Sequence, residues 1–159
     1  MIELIVALAI ASAIGVAVTM TAHQLITIPV LSNDSNTAIN QVRNAVNWIN
    51  RDVQSAIPSS ITTSPEFLSL EQLEGDSGTS SWTKYTVDYS LEDVAGSSLK
   101  ELRRYYHSST TGTLIAQYID LSTTSCSWDD VGKVLTVNIA AQVGTRTEAR
   151  TFEVKTRPD

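Results

Sequence analysis

The chain has 159 residues, enough for one globular domain with an accessory segment but too few for two full domains. Its formal net charge is −6, and every Lys and Arg lies at or beyond Arg43. Phosphate binding needs a basic field, so this balance argues against a nucleic-acid groove and no nucleic-acid partner is expected.

Residues 1–31 form the first element. They hold one charged side chain, Glu3, and Leu4 to Val18 read LIVALAIASAIGVAV. About 20 apolar residues cross a bilayer as a helix, and this run is long enough. A cleaved secretory signal is the competing assignment, but no basic region precedes the run and it exceeds the usual ~7–15 residue signal core. Glu3 is the anomaly. A carboxylate at the edge of hydrocarbon costs on the order of 2.5–3.5 kcal/mol and is read as functional unless it lies at the aqueous edge. The segment offers it no cation, which leaves an N-terminal amine, its own or that of another copy.

The opening residues MIELIVALAI resemble the start of the type IV pilin and pseudopilin family, whose mature N-terminus reads Phe-Thr-Leu-Ile-Glu-Leu before an apolar run. Ile2, Glu3 and Leu4 match Ile-Glu-Leu, and Met1 stands where the family usually has Leu. The resemblance implies that Glu3 neutralises the N-terminal amine of a neighbouring subunit during filament assembly, with Met1, Ile2 and Leu4 beside it. It also implies a prepilin peptidase and an assembly machinery as partners. The family's basic leader ending in Gly, and the N-methylated Phe after it, have no counterpart here. They are expected upstream of Met1, so no residue of this chain is assigned to cleavage or methylation.

Pro29 follows Ile28, and Ser32 to Asn36 are turn and N-cap formers. A proline in a helix removes one backbone hydrogen bond. The expectation is a bend or break at Pro29, between Ile28 and Asn36, with a fresh helix starting near Ser35 or Asn36.

Residues 32–57 then read as an amphipathic helix. Ile39, Val42, Val46, Ile49 and Val53 recur at three- and four-residue steps, a stripe that packs on a sheet. Pro58 stops it near Ile57. Ala45 to Ala56 also resembles the helix end of pseudopilins and minor pilins. Arg51 and Asp52 are sequence neighbours that cannot face each other, so each needs its own partner.

Residues 58–159 read as a head. Ser59–Ser64 and Glu74–Ser81 are loops rich in Ser, Thr and Gly. Strands are expected at Tyr85–Leu91, Leu99–His107, Leu114–Leu121, Leu135–Val143 and Phe152–Thr156, from alternation of apolar and polar residues and short spacings. They pair as an antiparallel meander. The fold class is therefore α+β: a long N-terminal helix packed on an antiparallel sheet, the layering that the resemblance also implies.

Chemistry finds little footing. His23, His107 and the lone cysteine, Cys126, give no nucleophile–base spacing, and there is no phosphate loop or zinc pattern. Cys126 allows no intrachain disulfide and is read as buried rather than as a thiol left for intermolecular pairing. Asp120, Asp129 and Asp130 match no EF-hand loop, so no metal and no cofactor is expected. Lys100, Arg103, Arg104 and His107 read as a solvated strand face, and Trp48, Trp82 and Trp128 as core or subunit contacts.

The expectation is a non-enzymatic structural subunit of an extracellular type IV pilus-like filament, partnered by copies of itself or related pilins. It would occupy the inner membrane of a bacterial or archaeal envelope before assembly. A minor pseudopilin of a type II secretion system is the alternative within the family, and a monomeric membrane-anchored binding ectodomain the alternative from another class.

Overall fold

The computed structural model describes residues 2–63, 67–75, 82–107 and 109–156. One helix, α1 (Ile2–Gln54), is followed by a short 3-10 turn (Pro58–Ser60) and seven strands. The strands are β1 (Phe67–Gly75), β2 (Trp82–Asp93), β3 (Lys100–Tyr106), β4 (Thr113–Ile119), β5 (Ser125–Asp129), β6 (Val134–Val143) and β7 (Arg146–Lys155). At 53 residues and ~1.5 Å per residue, α1 is about 80 Å long. The fold is α+β.

The break expected at Pro29 is not found: α1 runs through it as one element, and no new helix begins at Ser35. Proline removes one hydrogen bond and leaves the bonds of the neighbouring turns in place. The N-cap formers that suggested a fresh start are engaged otherwise. Ser35 Oγ donates to Glu148 Oε1 of β7 at 3.2 Å. Thr37 Oγ1 donates back to the Asn33 carbonyl at 2.9 Å. Asp34 lies against the β6–β7 turn, where a Cβ on Gly144 would come within 2.6 Å of Asp34 Oδ2. Tertiary contacts have taken the Asp34 and Ser35 side chains, which would otherwise cap a helix start. The helix ends at Gln54, three residues before the expected Ile57, and Pro58 opens the 3-10 turn instead of stopping α1 directly.

All strand pairs are antiparallel, in the order β1-β2-β3-β4-β6-β5, with β7 also on β6. β7 pairs with the whole length of β6, from Val134↔Lys155 to Val143↔Arg146. β5 and β4 share the opposite edge of β6: β5 pairs with residues 134–138, and β4 meets it at Ile119↔Ala141. The expected meander is therefore interrupted once, between β4 and β5. The sheet curls, and β1 approaches β5.

The core lies between the distal half of α1 and the concave face of this sheet. Ala38, Val42, Ala45, Val46, Ile49 and Val53 are buried on the helix. Against them stand Leu102, Ile115, Ile119, Leu135, Val137 and Ile139. Each fully buried Ile, Leu or Val contributes about 1.5–3 kcal/mol, so this stripe fixes the helix on the head. Ile39 is a correction. It is 36% exposed, at the margin of the stripe, while Ala38 and Ala45 are completely buried. The small side chains let the helix approach β4, β6 and β7 closely.

Candidate functional site

The proximal half of α1 has no counterpart in the head. Its most apolar 18-residue window is 0% buried within the protein. Ile2, Leu4, Ile5, Leu8, Ile10, Ile14, Val16, Val18 and Met20 are all exposed by more than half. A helix apolar on every side is a membrane span or a helix buried among other helices. By length and composition α1 can cross a membrane. Its hydroxyls are already satisfied. Ser12 donates to the Ala9 carbonyl at 2.8 Å, Thr21 to the Ala17 carbonyl at 2.9 Å, and Thr19 to the Gly15 carbonyl. Such back-bonding lets polar side chains enter hydrocarbon without an open donor.

Glu3 is exposed in the first turn of α1. The positive end of the helix dipole favours a carboxylate there by about 0.3–1 kcal/mol. Ile2 and Leu4 flank it, 79% and 71% exposed. Met1 lies outside the described residues.

At the other end of α1 the structure assembles a group that the residue pattern alone did not reveal. Asp52 is 2% exposed and sits on the buried face between Ile49 and Val53. Arg104 of β3 meets it through Nε–Oδ2 at 2.6 Å and Nη2–Oδ1 at 3.3 Å. Tyr89 of β2, the cross-strand partner of Arg104, donates its hydroxyl to Asp52 Oδ2 at 2.6 Å. Burial, and then the Asp52 carboxylate, push the Tyr89 phenol far above its ordinary range, which keeps it a neutral donor. Burial pulls the Arg104 guanidinium down, but the Asp52 hydrogen bond and charge outweigh it and the net shift is upward. Arg51, as expected, turns elsewhere: its guanidinium carbon lies 5.4 Å from the Trp48 ring centroid. The signal that could have exposed this group was the carboxylate of Asp52 at a core position of the stripe.

The basic cluster on β3 is not an open solvated face. Lys100 pairs with Asp93, Arg103 with Glu101 at 2.8 Å and Glu92 at 3.3 Å, and Arg104 with Asp52. Only His107 keeps the exposed character expected of the group, and it stacks with Tyr85 at 6.3 Å between centroids.

The remaining candidates separate. Trp82 is 70% exposed and packs on Gly75 rather than in the core. Trp48 and Trp128 are partly buried against it. Cys126 is half-buried on β5. Asp120, Asp129 and Asp130 serve local roles. Asp120 accepts from Ser122 and Thr123, Asp129 from the Val131 amide, and Asp130 from Lys133. Among the described residues no three His, Cys, Asp or Glu side chains converge into a metal centre.

No family model, no curated protein and no solved structure matches this chain.

Proposed function

We propose that the chain is a structural subunit of an extracellular type IV pilus-like filament, anchored in the inner membrane by the proximal half of α1 before assembly. The observation that carries this reading is the division of one helix into two environments. Its distal half is fixed on the head by a buried stripe, and its proximal half is apolar on every side and outside the head. Copies of such a helix bury that surface either in lipid or against one another. Glu3 adds direction. A carboxylate in the first turn meets a neighbour's N-terminal amine when subunits stack, the role the Ile-Glu-Leu resemblance implies. A pseudopilus of a type II secretion system uses the same assembly logic and stands as the variant reading.

Electron microscopy of filaments sheared from cells making the chain, with mass analysis of its N-terminus, tests this reading. Filaments in which the chain is an abundant component are expected. Recovery of the chain solely as a membrane-bound monomer would overturn it in favour of an anchored binding ectodomain.

A further inference from the structure

A cleft of about 610 Å³ opens where the distal end of α1 meets β1, β2 and β3. Its size falls within the range of about 300–1,000 Å³ typical of small-molecule sites. Trp48, Arg51 and Gln54 wall it from the helix, and Tyr85, Arg104 and Tyr106 from the sheet. Its floor is built and self-satisfied. Gln72 Nε2 donates to the Asp52 carbonyl and to Ser55 Oγ, both at 2.8 Å, and the Tyr85 hydroxyl donates to Gln72 Oε1 at 2.6 Å. Among the described residues no buried side-chain polar atom lacks a partner. The floor is thus held in place before any ligand arrives, which lowers the ordering penalty of binding.

Charge and shape narrow the occupant. Two guanidinium groups and one carboxylate line the cleft, leaving one positive charge uncompensated. Arg104 engages Asp52 through Nε and Nη2, so its Nη1 is not part of that pair. Arg51 makes no ion pair among the described residues. A monoanion balances this cleft, whereas a divalent anion would overload it beside the buried Asp52 carboxylate. A guanidinium binds a carboxylate through paired N–H donors. The cleft is much larger than a carboxylate, and the Tyr85 and Tyr106 rings, packed on each other at 4.6 Å between centroids with the Arg104 guanidinium 5.3 Å from the Tyr106 ring, give it an aromatic wall. Aromatic faces beside polar donors suit a ring that is apolar on one face and hydroxylated at its rim.

We propose that this cleft binds a carboxylate-bearing sugar, its carboxylate held by Arg51 and the outer edge of Arg104 and its ring set against the aromatic wall. The inference stands apart from filament assembly, because the cleft lies within the head and a monomeric anchor would carry it equally.

The test is calorimetric titration of the full chain in detergent micelles with glucuronate, glucose and inorganic phosphate. Glucuronate is expected to bind with a Kd of about 1 mM or tighter. Glucose and phosphate are expected to bind at least about tenfold more weakly, since a hydrogen bond to a charged group discriminates by that much. Arg51→Gln, at an exposed position that does not threaten the fold, is expected to weaken glucuronate about tenfold and leave glucose unchanged. Tyr106→Ala is expected to weaken both sugars. Equal affinity for glucuronate and glucose, phosphate binding as tightly as glucuronate, an unaltered glucuronate affinity in Arg51→Gln, or no heat at about 10 mM glucuronate would each overturn the proposal.

Discussion

Asp52 on the helix and Arg104 on β3 meet at 2.6 Å in a site where their side chains are 3% and 14% exposed. The pair ties the end of α1 to the sheet, and Tyr89 completes it. Removing one partner strands the other charge. Asp52→Ala is expected to lower the unfolding free energy of the head by about 3–5 kcal/mol, read from urea denaturation of the chain in detergent. Replacing both partners with apolar residues, Asp52→Leu with Arg104→Met, is expected to cost less than Asp52→Ala alone. An unchanged midpoint in Asp52→Ala would show that the pair does not hold the helix.

The stripe on α1 makes a graded prediction. Ile49 is completely buried and Ile39 is 36% exposed. Ile49→Ala is expected to destabilise by about 2–5 kcal/mol through lost burial and a residual cavity. Ile39→Ala is expected to cost under about 1 kcal/mol, because its surface is already partly wet. Equal effects at the two positions would mean that the helix is rotated from the placement described.

Burial pushes the Cys126 thiol up to about 12. The thiolate is the reactive form, and at neutral pH this site holds almost none. Cys126 is therefore expected to react with an aromatic disulfide reagent far more slowly in the native chain than in denaturant. Equal rates would place the thiol in solvent.

Three carboxyls of the head sit below their ordinary values. Gln117 and then Arg103 lower Glu101, the Ser122 side chain and amide lower Asp120, and Lys133 lowers Asp130. A depressed folded-state pKa means that the unfolded chain takes up the proton first on acidification. The stabilisation is present above the ordinary values of 4.5 for Glu and 3.8 for Asp and is lost as pH falls through the lower folded values. The Tm of the head is expected to be lower at about pH 3 than at about pH 6. Asp130 is exposed and Glu101 and Asp120 are only partly buried, so the shift is small. A Tm that rises on acidification would contradict these assignments.

The sequence showed its long-period features most clearly. The stripe of α1, apart from Ile39, and the alternation in β2 and β6 are direct images of helix and strand geometry and stand where expected, while β7 begins six residues before the expected Phe152. β1 was missed because Gln72, a polar residue, occupies the core position after Leu68 and Leu70. Its amide finds partners on α1 that no local pattern displays. β5 was missed because five residues with only Cys126 and Trp128 turned inward give too short an alternation. Pro29 and the Ser32–Asn36 cluster pointed to a break by local propensity, but α1 runs through both, and Ser35 and Asp34 are engaged by β7 and the β6–β7 turn instead of capping a new helix. The Asp52–Arg104–Tyr89 group joins residues from three elements, so it became visible only once the strand register was known.

The most direct test of the central claim is the assembly state of Glu3→Gln, compared with the unaltered chain in the same cells by electron microscopy and by the fraction of chain recovered in sheared filaments. The substitution keeps the size of the side chain, removes its charge and turns one acceptor oxygen into a donor amide. The account predicts that Glu3→Gln accumulates in the membrane with its head folded, while filaments are lost or sharply reduced. Filaments of unchanged number and length would contradict it and leave the proximal half of α1 as an anchor alone.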